Sequence, residues 1–67
     1  MNAQAVKDEL DEAGEIIVFT DAGEEFELHL DDVEYENDVF KWDAGDKRWV
    51  LDADSIESIL VHASHKM

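Results

Sequence analysis

The chain has no cysteine, and its five lysines and arginines stand against 19 aspartates and glutamates. Without cysteine there is neither a disulfide framework nor a thiolate metal site, so the fold must rest on packing, solvent conditions or a partner. Long apolar segments are missing too. The longest uninterrupted run, Ile16 to Phe19, is far below the roughly 20 residues of a membrane-spanning helix. The N-terminus shows no basic stretch followed by an apolar one, which leads to the expectation of a soluble, cytoplasmic protein. Sixty-seven residues imply a single domain over 1–67 with one small core, because a chain of about 60 residues buries only about 60% of its unfolded surface. A large active-site cavity is not expected.

What is present is acid. The formal charge is −14 and the pI is near 4.1, yet 45% of the residues are hydrophobic and fall in short periodic clusters, which separates the chain from disordered acidic segments. The acids run along the whole length, as a solvated shell would. Such a shell repels itself where the Debye length is about 30 Å, at 0.01 M salt, and is nearly screened where it is about 3 Å, at 1 M. The composition resembles that of proteins from salt-in haloarchaea, which implies a halophilic protein whose acidity is adaptation. The competing reading is that the acidity is the function, as in an acidic nucleic-acid mimic.

The pattern predicts a helix over about 3–13, with Asn2 as N-cap, a narrow stripe of Ala3, Val6, Leu10 and Ala13, and Gly14 at the C-cap. So narrow a stripe implies weak docking across one end of the core. From Gly14 onward the period becomes two. Ile16–Thr20 and the alternation of Phe26, Leu28 and Leu30 flank Asp21-Ala22-Gly23, a hairpin whose register is expected to set Phe19 near Phe26 and Ile17 near Leu28 on the core face. A second hairpin is predicted from Val39–Trp42 and Lys47–Leu51 around Asp43-Ala44-Gly45-Asp46, with Phe40, Trp42, Trp49 and Leu51 on one face. Asp-Ala-Gly thus occurs twice and is read as repeated turn chemistry. Between the hairpins, Asp31–Asp38 reads as a polar bend, with Val33 and Tyr35 continuing a long, bent second strand. Asp54 and Glu57 suggest a capping box for one helical turn, followed by a last strand, Ile59–His62, and a frayed tail over 63–67.

This order, a helix, four meandering strands, one helical turn and a fifth strand over about 15–62, resembles the small SH3-like barrels and is most similar to the Sm-like family. Asp21 and Gly23 match the family's first turn, Leu30 its second strand, Asp32 or Glu34 its loop acid and Asn37 the asparagine that helps to hold a base. Leu28 stands about where the family's second-strand glycine would be, and Ser55–Ile59 occupies the region of the later Arg-Gly signature. The resemblance implies a mainly β (α+β) fold, an N-terminal helix before a five-stranded antiparallel barrel. It also implies ring assembly by pairing of strands four and five between copies, or RNA or DNA binding.

No Ser-His-acid grouping, phosphate loop or His-Glu-x-x-His spacing is present, so no enzyme activity and no cofactor are expected. Asp43, Asp46, Asp52, Asp54 and Glu57 lack the glycine and distal glutamate of a calcium loop, and His29, His62 and His65 are read as exposed polar positions, so no metal is assigned. The most informative group is aromatic: Phe19, Phe26, Phe40, Trp42 and Trp49. Trp42 and Trp49 share the second hairpin with Lys41, Lys47 and Arg48, and single-strand-binding barrels combine such rings with basic grooves. The candidate binding residues are therefore Tyr35, Asn37, Lys41, Trp42, Lys47, Arg48 and Trp49. The expected function is a small non-enzymatic interaction module that binds a protein partner or itself, with Sm-like nucleic-acid binding as the alternative.

Overall fold

The structure, a computed structural model, describes residues 1–61. Helix α1 (Ala3–Ala13) begins where the Asn2 side chain accepts a hydrogen bond from the Ala5 amide at 3.1 Å and ends at left-handed Gly14, whose amide donates to the Leu10 carbonyl at 2.8 Å. Six strands follow: β1 (Glu15–Thr20), β2 (Glu25–His29), β3 (Glu34–Glu36), β4 (Val39–Ala44), β5 (Lys47–Asp52) and β6 (Ile56–Leu60). A single 3-10 turn, Ala53–Ser55, separates the last two. The strands form two antiparallel sheets of three, ordered β2-β1-β6 and β3-β4-β5.

The mainly β class with one leading helix is as expected, but the five-stranded barrel is not: six strands lie in two separate sheets. Residues His29 to Val33 break the anticipated long second strand, because the amides of Asp32 and Val33 both turn back to the His29 carbonyl, at 3.0 and 3.2 Å. The two halves, β2 and β3, then join different sheets, and among the described residues no ladder links those sheets. What unites them is the core: Val6 and Leu10 from α1, Ile16 and Val18 from β1, Leu28, Phe40, Leu51, Ala53 and Ile56. Val6 and Leu10 are fully buried, so the helix is an integral wall of the core and not the loosely docked element its narrow stripe suggests.

The first hairpin corrects the expected register. In its turn the Gly23 amide donates to the Thr20 carbonyl at 3.0 Å, with Gly23 at φ 89°. The Thr20 amide, however, bonds the Glu24 carbonyl at 2.8 Å, which leaves three loop residues and places Val18 opposite Phe26 and Ile16 opposite Leu28. The core face of β1 is therefore Ile16, Val18 and Thr20, while Ile17 and Phe19 lie half-buried on the outer face beside Glu27 and Glu25. A register displaced by one residue turns every side chain over. Thr20 tolerates burial because its Oγ1 accepts from the Glu24 amide at 3.0 Å.

The second Asp-Ala-Gly makes a different turn from the first. Ala44 pairs with Lys47, so the loop is only Gly45-Asp46, with Gly45 at φ 68° as a two-residue turn led by glycine requires. A third hairpin joins β3 to β4 through Asn37-Asp38, both at positive φ, 54° and 66°. The 3-10 turn is capped by Asp52, whose side chain accepts from the Asp54 amide at 2.9 Å, while Glu57 lies in β6. The capping box assigned to Asp54 and Glu57 is thus replaced by one starting acid two residues earlier. No helix among the described residues is long and apolar enough to cross a membrane. His62 and the tail at 63–67 lie outside the described residues.

Candidate functional site

Alternation along β4 and β5 decides where the candidate residues point. Trp42 is directly opposite Trp49, and Phe40 opposite Leu51, on the face turned toward the core. Phe40 and Leu51 are buried, whereas the tryptophans continue the same row toward the Gly45-Asp46 end. There the first sheet supplies Phe26, whose ring centroid lies 4.7 Å from that of Trp49 and 5.5 Å from that of Trp42, the latter edge-on at 68°. The two indoles are stacked at 6.2 Å and 20°. Trp49 is 39% exposed, although indoles are usually largely buried.

The basic side chains do not share this face. Lys41 pairs with Val50 and Arg48 with Asp43 on the outer side of the hairpin. The Arg48 guanidinium donates to Asp43 Oδ1 and Glu34 Oε1, each at 2.9 Å, and these bonds, the one to Asp43 above all, hold its pKa above the ordinary value. Lys47 alone of the three shares its strand parity with Trp49. Asn37 sits at the other end of β4, in the turn that Tyr35 closes by donating from its hydroxyl to Asp38 Oδ1 at 3.2 Å. Tyr35 also packs on Phe40 at 4.9 Å. Its phenol is raised above 10.0, first by desolvation and then by its bond to Asp38.

The candidate residues therefore divide into three places: Trp42 and Trp49 with Lys47 at one end, Lys41 and Arg48 on the outer face, and Tyr35 and Asn37 at the opposite turn. Phe26, assigned to the core beside Phe19, is the third member of the tryptophan cluster. Its parity with Leu28 signals an inward direction, but which ring it meets across the sheets has no local signature.

A second cluster lies on the outer face of the first sheet. His29 is opposite Glu15 and two residues from Glu27, with Nδ1 3.6 Å from Glu15 and Nε2 3.7 Å from Glu27. The donor atoms lie within 4.8 Å of one another, but the two ring nitrogens face different carboxylates. Strands β2 and β6 flank β1 on opposite sides, so His29 does not pair with the last strand; His62 and His65 lie outside the described residues. No protein-family model, no curated protein and no solved structure matches the chain.

Proposed function

We propose that this protein is a small non-enzymatic interaction module of a salt-adapted organism, associating with a protein partner or with further copies of itself through its sheet edges. The observation that carries this reading is the pair of edge strands on either side of the 3-10 turn. Among the described residues strand β5 pairs only with β4, and β6 only with β1, while Val50 on β5 is 60% exposed and Leu60 on β6 is 48% exposed. Such edges accept an added strand through the main chain, with side-chain pockets for selectivity. Because the two edges belong to different sheets, β5 of one copy pairing with β6 of the next is a head-to-tail contact, which closes into a ring when the rotation permits. That is the assembly the Sm-like resemblance implies, and a dimer uses the same edges.

A charge of −14 opposes association at low ionic strength and is screened at molar salt. Circular dichroism with light scattering from about 0.01 to 2 M salt tests the reading: strand signal and particle mass should rise together with salt. A strict monomer in molar salt would remove self-assembly, and a stable fold at all salt concentrations would favour the acidic nucleic-acid mimic. Sm-like RNA or DNA binding is the competing proposal. Phosphate contact depends on available Lys and Arg, and the engagement of Arg48 by two carboxylates weighs against it.

A further inference from the structure

The end of the molecule where the first and last hairpin tips converge combines two features that are otherwise separate. One is the ring cluster: Phe26 stands just after the first loop, Trp42 and Trp49 flank the last, and the centroid distances of 4.7 and 5.5 Å bring the two tips together. The other is charge. Residues 20–26 and 42–49 carry Asp21, Glu24, Glu25, Asp43 and Asp46 against Lys47 and Arg48, and Arg48 is turned to the outer face by Glu34 and Asp43. Asp21, Glu24, Asp46 and Trp49 are all exposed.

We propose that this end is a docking site for an arginine-bearing segment of a partner protein, with a guanidinium packed on the exposed part of the Trp49 indole and its neighbours paired with Asp21, Glu24 and Asp46. Charge complementarity selects a basic partner over an acidic one. The rings favour arginine, since a planar, weakly hydrated guanidinium stacks on an indole more readily than a compact, strongly hydrated ammonium. The combination also suits high salt: at about 1 M the Debye length is about 3 Å, so attraction at a distance is lost while a stacked contact persists. A second copy of this chain is a poor occupant, because its sole arginine, Arg48, is already held by Glu34 and Asp43. The site is thus independent of edge association and is present in the monomer, Trp49 facing inward from β5 while the strand edge lies in the plane of the sheet.

The test uses the full chain and a synthetic peptide of alternating arginine and glycine, with lysine-glycine and glutamate-glycine peptides of equal length as comparators, at about 0.1 and about 2 M potassium chloride. Isothermal titration gives affinity, indole and amide NMR shifts give location, and light scattering in the same buffers gives mass. The expected result is saturable binding of the arginine peptide by the monomer, tighter than lysine and surviving in 2 M salt. The Trp49 indole and the amides of residues 21–25 and 45–47 should shift. Trp49→Leu should weaken binding about fivefold or more, and Glu24→Gln with Asp46→Asn should weaken it chiefly at low salt. If Trp49→Leu does not fold, as judged by circular dichroism, the loop variants and the parental shift map still decide. Absence of saturable binding, loss of it in molar salt, equal lysine and arginine affinities, shifts located elsewhere, or binding only by an assembled form would each overturn the proposal. So would an oligothymidylate occupying the same residues more tightly than the arginine peptide.

Discussion

The two sheets have the same size and the same antiparallel pairing but divide their surfaces differently. In the first, β1 alternates buried and half-buried residues without interruption, and Ile16, Val18, Leu28 and Ile56 enter a core completed by α1. In the second, only Phe40 and Leu51 are buried, and β5 exposes most of its length. The first sheet has the helix and the 3-10 turn to cover it, with the Asp21 amide bonded to the Ser55 carbonyl at 2.9 Å and the Met1 amine to the carbonyls of Ala53 and Ile56 at 3.2 and 2.9 Å. Among the described residues the second sheet has no helix of its own, and its distal rings pack on Phe26 and one another. A small chain with a single helix can complete one sheet fully, and the other is left with apolar surface to offer.

The largest expected effect tests that division on neighbouring residues. Ile16→Ala removes a fully buried side chain and should cost about 2–5 kcal/mol, a large share of the about 3–10 kcal/mol expected at about 0.05–0.15 kcal/mol per residue. Ile17→Ala on the outer face and Trp49→Leu in the second sheet should each cost well under half as much, as measured by denaturant unfolding in molar salt. Equal losses at Ile16 and Ile17 would contradict the register, and a loss at Trp49 matching Ile16 would abolish the contrast between the sheets.

A smaller effect concerns the turn that opens the second sheet. Asn37 has φ 54°, a conformation that costs an ordinary L-residue roughly 1–2 kcal/mol. Asn37→Val should therefore destabilise by about that amount, while Asn37→Gly should stay close to the parent. If Asn37→Gly folds normally yet loses oligonucleotide binding shown by the parent, the side chain has a base-contacting role beyond its turn.

The smallest effect is alkaline. Tyr35 is the single tyrosine, and its folded pKa lies above 10.0 through desolvation and then Asp38. The stability linked to it is complete below the unfolded value of about 10 and is lost as pH rises through the raised folded value. Tyrosinate absorbance should give a midpoint above 10.0, Asp38→Ala should bring it part of the way down, and Tyr35→Phe should flatten this component of the alkaline stability loss. A midpoint at the ordinary value would show the phenol to be fully hydrated.

Legibility in the sequence followed the range of the interactions involved. The helix and both its caps could be read because they depend on residues within one turn of each other, from Asn2 to Gly14. The parity of Phe40, Trp42, Trp49 and Leu51 could be read because alternation along a strand is local. The β1 register lies one residue from the expected one, because it depends on how many residues the Asp21–Gly23 loop spends before pairing resumes at Glu24. Asn37-Asp38 carried a usable turn signal, two residues tolerant of positive φ between β-forming neighbours, but the surrounding acids masked it as a polar bend. Proximity along the chain groups Lys41, Trp42, Arg48 and Trp49, but alternation along the strands sends Lys41 and Arg48 to one face and the tryptophans to the other.

By itself, the sequence determined the leading helix, the β character, the turns at glycine and the acidic shell, all of which follow from local conformational preference and composition. Only the tertiary structure decided that His29–Val33 would split one strand between two sheets, that Val6 and Leu10 would seal the core, and that Phe26 would meet Trp42 and Trp49. Each of these joins residues far apart in the chain, and such contacts are chosen by the burial of apolar surface across the whole molecule, which no single stretch of sequence encodes.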